Sequence, residues 1–475
     1  MPSAPRSKPS AKGQSARHEA PSKSAVRLVW PSRDRAPLAA PTGELRVVEA
    51  CDAPRARLVR GDALDLVAAL RREGTAGKVD LVYIDPPFFS DADYVHEARL
   101  DGRADGRISR THAYGDRWAR KEGGLESYLD MLAPRLEALA SVLAPRGTLW
   151  VHLDWRASYL VRVLLDEIFG KDGFLNEIVW RRAPNLGRQA ASGQFGRTLD
   201  TLVVYGGKGA TLTPPTRPEL VPRSAVRIDD EGRPFTTAPR GDYTDASVER
   251  LAAEGRILRT ATGKVYVKYF LTSGPDGEHY RERRVDALWT DVPPLRHASP
   301  SERTGYPTQK PLALLDRVVR AGSPEGGLVV DAFSGSGTTA EAAVRAGRRA
   351  VVSDPSPVAI ATARARLARA GITTELSEAT GSPEVPSLSV EASAERRGAS
   401  VVVTLDSPTD PLSWAIDATG DAGGAFRSSW SSVRSLGKRP EKVARTATLD
   451  GAPKRLVVRV YADDGAVGQC EVLCP

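Results

Sequence analysis

An aspartate, two prolines and a phenylalanine, Asp85-Pro86-Pro87-Phe88, directly follow the apolar run Leu81-Val82-Tyr83-Ile84. A short apolar run that stops at prolines is typical of a buried strand, because proline cannot donate to a sheet ladder. Ligands of open α/β sheets bind outside the carboxyl ends of the strands. At that edge a carboxylate and a carbonyl can accept both protons of an exocyclic amine, and an aromatic ring can stack on the heterocycle that carries it. These residues therefore indicate alkylation of a nucleobase amino group. The alternative is an ordinary turn behind a strand.

A second motif, Asp331-Ala332-Phe333-Ser334-Gly335-Ser336-Gly337-Thr338, has the pattern of a strand end, a glycine turn and a helix start. The glycines let the backbone approach a ligand, and a helix N-terminus favours a carboxylate or phosphate. About twenty residues past the glycines, another apolar run ends in Asp354, where a nucleotide fold places its ribose-binding acid. The motif matches neither the dinucleotide fingerprint nor the phosphate-binding loop with its lysine, so alone it is weak support for a nucleotide site.

Together with Tyr306-Pro307-Thr308-Gln309-Lys310-Pro311, these motifs resemble those of the amino-group DNA methyltransferases, which use S-adenosylmethionine. The D-P-P-F motif precedes the glycine motif in the chain, and this order resembles the β-class enzymes, whose sequence is circularly permuted. The stretches 114–118 and 176–181 are also similar to members of this family. The resemblance covers residues 45 to 370, roughly.

The resemblance implies a role for each motif. In the catalytic motif Asp85, Pro86, Pro87 and Phe88, the carboxylate and the Pro86 carbonyl would accept the amine protons, and the phenylalanine would stack on the base. The residues expected around S-adenosylmethionine are Asp62, Pro307, Thr308, Gln309, Asp331, Phe333, Ser334, Gly335, Gly337, Thr338 and Asp354. Asp62 would lie near the adenine, the glycine turn would face the methionine part, and Asp354 would bind the ribose. The alternative for Asp354 is a simple strand-end acid, and Lys310 either lines the pocket or leads a helix at the surface.

The target amine cannot reach a cofactor from inside a duplex, so the base must be flipped out. The D-P-P motif favours adenine N6 by family tendency, and cytosine N4 is the alternative. An RNA methyltransferase with the same site and a non-catalytic DNA-binding protein with the same fold are two further hypotheses. The intact Asp85, Gly335 and Gly337 argue against the non-catalytic protein, and a large insert at the position of DNA recognition argues against RNA.

Alternating strand and helix patterns around the motifs predict a doubly wound, mainly parallel α/β sheet, a circularly permuted Rossmann-like fold. We expect a disordered basic tail at 1–42, a catalytic half at 43–184, a target-recognition insert at 185–290, a cofactor-binding half at 291–372, a linker at 373–393 and a β-rich C-terminal domain at 394–475. The insert includes the predicted strand Thr201–Tyr205. Pro134 would kink or split a helix predicted over 125–143.

Within the insert, residues 264–269 alternate at strand period. Lys264, Tyr266 and Lys268 would share one face, and a basic-aromatic face suits nucleic acid. The alternative is an ordinary solvated face.

The net charge is +8, from 67 basic and 59 acidic residues. Residues 1–40 hold eight basic and two acidic side chains and supply most of this excess. Such a tail either contacts phosphates or is a solvated leader. The remainder is nearly neutral, so any groove for a polyanion must come from local patches.

No apolar stretch reaches the length of a membrane span, and the N-terminus lacks an apolar signal region. The three cysteines, Cys51, Cys470 and Cys474, form no C-x-x-C pair and have no histidine cluster beside them, so we expect no metal site and a cytoplasmic location. Double-stranded DNA is the expected partner. A homodimer and a cognate restriction endonuclease are candidates that the residues do not decide.

Overall fold

The computed structural model describes residues 27–34, 41–99, 108–118, 124–183, 193, 195–419, 424–436, 441–451 and 453–475. The strands are β1 (Leu45–Glu49), β2 (Ala56–Arg60), β3 (Val79–Ile84), β4 (Ala92–Arg99), β5 (Ile108–Asp116), β6 (Leu143–Leu153), β7 (Phe174–Arg181), β8 (Leu199–Gly206), β9 (Thr216–Val221), β10 (Arg227–Ile228), β11 (Pro234–Pro239), β12 (Ile257–Arg259), β13 (Val265–Phe270), β14 (Thr272–Ser273), β15 (His279–Arg284), β16 (Leu288–Trp289), β17 (Leu328–Asp331), β18 (Arg349–Asp354), β19 (Thr374–Ala379), β20 (Glu391–Arg397), β21 (Ser400–Ser407), β22 (Ser413–Asp417), β23 (Trp430–Val433), β24 (Thr446–Asp450), β25 (Arg455–Tyr461) and β26 (Val467–Leu473). The α-helices are α1 (Ala63–Arg72), α2 (Leu125–Ala140), α3 (Ser158–Phe169), α4 (Asp245–Ala253), α5 (Leu312–Gly322), α6 (Thr338–Arg345) and α7 (Pro357–Arg369).

Ten strands form the main sheet, in the order β1-β19-β2-β18-β17-β3-β6-β8-β7-β16. Six of the nine pairings are parallel, and the pairings β1·β19, β6·β8 and β7·β8 are antiparallel. One apolar core joins the sheet to α1, α2 and α3, and another joins it to α5, α6 and α7. The prediction of a doubly wound, mainly parallel sheet is therefore confirmed.

The two predicted motifs meet because β3 and β17 are neighbours in the main sheet. Val329 pairs with Leu81 and Val330 with Val82, so both strands deliver their carboxyl ends to one edge. On the other side of β3, Ile84 pairs with Val151 of β6. The motifs that are far apart in the chain thus follow adjacent strands.

Two strands from the predicted insert and the predicted linker belong to the main sheet. The predicted insert contains β8, but β8 runs antiparallel between β6 and β7 in the main sheet. The predicted linker contains β19, which pairs with β2. The composition of β19 resembles a linker because it is polar, yet Glu375 and Glu378 form ion pairs with Arg57 and Arg60 of β2 at 3.2 and 3.0 Å.

Two local predictions also differ from the structure. Helix α2 ends at Ala140 rather than at residue 143, and it continues through Pro134, so the proline does not split it. Residues 27–34, assigned to the tail, pack on the main domain: the Trp30 indole donates to Asp130 at 2.7 Å, and Arg33 pairs with Glu167 at 2.6 Å. The apolar Trp30 is buried and so anchors this segment, whereas residues 1–26 and 35–40 of the predicted tail lie outside the described residues.

Between Thr216 and Arg284 the chain forms two small antiparallel sheets, β10-β11-β13-β12 and β14-β15-β9. The C-terminal strands form two more, β20-β21-β24 and β23-β22-β25-β26, which share one apolar core as in a sandwich. Trp414 and Trp430 meet in that core with ring centroids 4.6 Å apart. Among the described residues, no helix combines the length and the apolar character needed to cross a membrane.

The C-terminal sandwich is joined to the main domain through buried charge. Arg364 of α7 donates to both carboxylate oxygens of Glu49 in β1, each at 2.7 Å, and the Tyr461 hydroxyl donates to Glu49 at 2.9 Å. The Arg364 guanidinium lowers the pKa of Glu49 against the opposing effect of burial. Because breaking a buried ion pair is costly, this cluster holds β1 and α7 of the main domain to β25 of the sandwich.

Candidate active site

A cavity at the carboxyl edge of the main sheet encloses about 1020 Å³, part of it open to solvent. It is lined by twelve of the predicted site residues, namely Asp62, Asp85, Pro87, Pro307, Thr308, Gln309, Asp331, Phe333, Ser334, Gly335, Thr338 and Asp354. Pro86, Phe88 and Gly337 are not among the lining residues, nor are Lys264, Tyr266 and Lys268. The structure thus brings the predicted catalytic and cofactor motifs to one space.

The Asp85 carboxylate forms an ion pair with the Lys310 ammonium group. This ammonium group also lies 5.2 Å from the centroid of the Phe88 ring and 3.3 Å from the Thr308 carbonyl oxygen. The Lys310 side chain is only 10% exposed, so the alternative of a surface residue is wrong. The second carboxylate oxygen of Asp85, Oδ1, is buried and has no hydrogen-bond partner among the described residues.

The turn that follows Asp85 is held by two residues that the sequence analysis did not single out. Asp116, at the end of β5, accepts hydrogen bonds from the backbone amides of Phe88, Phe89 and Ser90 at 2.7–3.1 Å. The Tyr128 hydroxyl donates to the Pro87 carbonyl at 2.9 Å. Asp116 lies in the stretch 114–118 that resembled the family, which was the available signal for its importance.

Beneath Phe88 lies a buried chain of polar side chains. The Phe88 ring stacks on the His152 imidazole, with centroids 6.1 Å apart and planes at 20°. His152 Nδ1 lies 3.0 Å from the Tyr83 hydroxyl, and Nε2 lies 3.2 Å from the Asp200 carboxylate. Asp200 comes from β8, so its contribution depends on the strand that we had placed in the insert.

The two glycines of the second motif have different surroundings. Gly335 has φ +46°, and a Cβ atom there would lie 3.0 Å from the Tyr306 ring, at the cavity wall. Gly337 has φ +75° and precedes α6, and a Cβ atom there would lie 2.7 Å from Ala363 of α7. Gly335 therefore keeps the cavity open, whereas Gly337 permits close packing of two helices.

Two buried carboxyl groups face the cavity on either side of the glycine turn. Asp331 accepts from the Thr339 hydroxyl at 2.6 Å and from the Phe333 amide at 3.0 Å, and its burial raises its pKa to about 7. Asp354 accepts from the Gly335 amide at 3.0 Å, and burial raises its pKa to about 6. Both groups would be more fully ionised beside a cation or a hydrogen-bond donor.

Three other predicted cofactor residues that line the cavity also form hydrogen bonds with neighbouring side chains or backbone. Asp62 caps α1 and also accepts from Arg135 at 2.6 Å. Thr308, with φ +57°, shares a hydrogen bond of 2.9 Å with Tyr114. The Gln309 side chain is engaged in its own loop, because it accepts from Thr304 and donates to the Glu302 carbonyl at 2.8 Å.

The predicted DNA-binding residues lie in another sheet. They belong to β13 or immediately precede it, at the centre of the sheet β10-β11-β13-β12. Lys268 Nζ lies 5.0 Å from the centroid of the Phe235 ring, and Lys264 is exposed. The predicted alternation of exposed and buried side chains along 264–269 holds at Val267, which is on the opposite face and is fully buried.

The cavity fits S-adenosylmethionine by two observations. Ser334 Oγ, within the glycine turn, is buried and lacks a hydrogen-bond partner among the described residues, so a polar group is available for the cofactor. The space beside Gly335 is one that a Cβ atom would narrow, as expected of a cradle for a bound molecule.

Comparison with known proteins gives the same indication. A family model described as DNA methylase, for N6 and N4 methyltransferases, matches residues 79–365. The chain is 27% identical over 329 residues to the type II methyltransferase M.EcaI of Enterobacter cloacae, covering 63% of this chain and 67% of that protein. It is 23% identical over 327 residues to the Mod subunit of the type III restriction-modification enzyme StyLTI of Salmonella typhimurium, covering 59% of this chain and about half, 48%, of the subunit.

Among solved structures, the complex of M1.HpyAVI with S-adenosylmethionine is similar, at 16% identity and a TM-score of 0.38, covering 66% of this chain and 98% of that one. The family match is a match of sequence. That match spans well over half of the chain and includes both motifs that line the cavity. The chain therefore belongs to the N6/N4 DNA methylase family, whose members take their methyl group from S-adenosylmethionine.

Proposed function

We propose that this protein transfers a methyl group from S-adenosylmethionine to N6 of a flipped-out adenine in double-stranded DNA. The observation that carries the proposal is that the Asp85 carboxylate and the glycine turn after Asp331 line one cavity. An acceptor for an amine beside a cofactor-binding turn fits an enzyme that methylates amino groups. The D-P-P motif favours adenine by family tendency, and cytosine N4 is the second candidate.

The exocyclic amine of a base is a poor nucleophile, because its lone pair is delocalised into the ring. If Asp85 Oδ1 and the Pro86 carbonyl accept hydrogen bonds from its two N–H groups, the nitrogen can become pyramidal and regain nucleophilicity. The neighbouring Pro87 carbonyl already accepts from Tyr128, so Pro86 is the candidate second acceptor. The Asp85 charge would also stabilise the positive charge that develops on the nitrogen. When bound, S-adenosylmethionine supplies the electrophilic methyl group on a sulfonium.

In this proposal Phe88 stacks on the flipped base. One contact of its ring is already made by His152, and the Lys310 ammonium lies near it. The Lys310 ammonium donates to Oδ2 of Asp85, which leaves Oδ1 as the acceptor for the target amine.

The ionisation of Asp331 should make cofactor affinity depend on pH. The free carboxyl has a pKa of about 7, and the amino group of S-adenosylmethionine would favour the ionised form. Protons are therefore released on binding, and affinity should rise by about fivefold between pH 6 and pH 7. Calorimetry in buffers of different ionisation enthalpy measures this release.

Asp331→Asn should bind the cofactor more weakly and remove most of this pH dependence. Asp354→Asn is the comparison, because the pKa of Asp354 is about 6 and its titration is nearly complete by pH 7. If the pH dependence of cofactor affinity is the same in Asp331→Asn as in the wild-type protein, Asp331 does not contact the cofactor.

The proposed reaction is tested by incubating wild-type protein with isotopically labelled S-adenosylmethionine and duplex DNA, then analysing the nucleosides by mass spectrometry. N6-methyladenine is the expected product. If the product is N4-methylcytosine, the target base is cytosine rather than adenine. If only RNA is labelled, the substrate is RNA rather than DNA. Absence of label in every nucleic acid would contradict the proposal.

We also propose that the segment 216–284 contacts DNA through β13. The support is its position between the catalytic and cofactor-binding motifs and the alternation of Lys264 and Lys268. Reversing both charges to glutamate should weaken DNA binding and flatten its salt dependence. The control reverses Lys442 and Lys454, two exposed lysines near the C-terminus. If DNA affinity depends on salt concentration equally in the two double variants, Lys264 and Lys268 do not contact the DNA.

We propose the cytoplasm as the site of action, because Cys51, Cys470 and Cys474 are all free thiols. The name of one relative, a subunit of a type III restriction-modification enzyme, supports a cognate endonuclease as a candidate partner. A second copy of the chain is the other candidate, and light scattering counts the copies in solution.

A further inference from the structure

A group of aromatic and basic side chains lies on the edge of the main sheet beside the active site. We refer to Trp155, Arg156, Tyr159, Phe195 and Arg197 as the Trp155 surface. Strand β6 ends two residues before Trp155, and β8 begins two residues after Arg197. Leu153 pairs with Thr201, so both segments come to the edge at which β3 delivers Asp85.

The aromatic members of the Trp155 surface are exposed to an unusual degree. Trp155 is 48% exposed, Tyr159 is 60% exposed and Phe195 is 99% exposed. Large aromatic side chains gain from burial, so three exposed ones on segments that meet at one sheet edge indicate a surface that is covered in use. Exposed aromatic side chains alone could bind many kinds of partner, and the charged groups around them indicate which kind is expected.

Two guanidinium groups lie against Trp155. The Arg197 guanidinium carbon is 3.8 Å from the indole centroid, and that of Arg156 is 5.1 Å from it. An arginine stacked on an aromatic ring is held in a planar arrangement and can still donate to phosphate. The combination of stacking platforms and guanidinium groups is that of nucleic-acid contact sites.

Two acids near this surface, Asp154 and Asp200, are each 3% exposed, and they pair with Arg156 and Arg182. Among the described residues, the exposed side of the edge therefore presents the Trp155 indole and the Arg197 guanidinium, and these two carboxylates are buried. This arrangement complements a phosphate backbone, whereas a protein partner would be expected to meet a more mixed set of charges.

We propose that the Trp155 surface contacts the backbone and the unpaired bases of the duplex around the flipped nucleotide. Arg197 would bind phosphate, and Trp155 would stack on a base or a sugar exposed when the target leaves the helix. This proposal rests on the proposed function, because it places the duplex whose adenine reaches Asp85. It adds a second contact surface to that of β13, in another sheet and next to the catalytic edge.

The test measures binding of a fluorescent duplex at several salt concentrations. Arg197→Gln should weaken binding and lower the salt slope by about 0.9, the effect of one lost phosphate contact. Arg197→Lys should retain the slope, because the charge remains. Trp155→Ala should weaken binding by about tenfold with little change in slope. S-adenosylmethionine affinity, which should be unchanged in all three, shows that each variant is folded.

The proposal is overturned if Arg197→Gln and Trp155→Ala bind duplex with the wild-type affinity and salt slope. It is also overturned if the variants lose self-association or binding of RNA while duplex binding is unaffected. Both results leave methylation by the wild-type protein intact, so they are distinct from failure of the proposed function. A wild-type protein that binds duplex through this surface but labels no base would contradict only the proposed reaction.

Discussion

Replacing Asp85 with alanine should lower the rate of methyl transfer to DNA by roughly 10²–10³-fold, the usual effect of removing one preorganised electrostatic contact. The carboxylate lies in the cavity with one oxygen, Oδ1, unpartnered among the described residues. Without it, the target amine keeps its delocalised lone pair and the developing charge is not stabilised. Affinity for S-adenosylmethionine should change little, because the glycine turn belongs to another strand.

The substitution also leaves the buried Lys310 ammonium without its partner, which would destabilise the protein. Loss of activity is therefore compared with Asp85→Ala/Lys310→Met, which removes both charges and restores stability. Asp80→Ala provides a second control, since Asp80 lies on the same strand at its opposite end and accepts from the Leu328 amide at 2.8 Å. Thermal unfolding reports the folded fraction of each. A folded Asp85→Ala protein that methylates DNA at the wild-type rate would contradict the mechanism.

Replacing Gly335 with leucine should reduce cofactor affinity by about 10- to 100-fold, as expected when a side chain fills a packed site. A Cβ atom at this position would already lie 3.0 Å from the Tyr306 ring, and the rest of the side chain would enter the cavity. Titration of S-adenosylmethionine by calorimetry measures the loss.

Part of any loss could come from backbone strain, since Gly335 has a positive φ. Gly326→Leu is the matched control, because Gly326 has φ +74° and a Cβ atom there would have nothing within 4 Å. It should lower stability by a similar amount and leave cofactor affinity unchanged. If both variants bind with wild-type affinity, the glycine turn does not contact the cofactor.

The meeting of the two motifs at one edge of the sheet could be predicted from the sequence, because the relevant signals are local. The apolar run before Asp85 and the strand–turn–helix pattern after Val330 each specify an element and its end. Two strands that end at one edge of a parallel sheet then bring Asp85 and Asp331 close, whatever their separation in the chain.

The contacts that hold the site together were not predictable in this way. The pairing of Lys310 with Asp85 depends on a loop in which Thr308 has a positive φ, and nothing in the sequence fixes its direction. Asp116 caps three amides of a turn 26 to 28 residues earlier, which requires the path of β4 and β5. The strands β8 and β19 were misassigned for different reasons: β19 is polar because it forms ion pairs with β2, whereas β8 is apolar and its place in the main sheet depends on its pairing with β6 and β7.

The buried cluster of Glu49, Arg364 and Tyr461 joins the C-terminal sandwich to the helix that follows Asp354 at the cavity. Arg364 belongs to α7, the helix that begins three residues after Asp354, and Gly465 packs directly against Pro357 at its first turn. A chain truncated before β20 would expose the ion pair and leave the start of α7 without its cover. We therefore expect the sandwich and the end of the cavity at Asp354 to unfold as one cooperative unit, although none of the described residues that line the cavity comes from the sandwich.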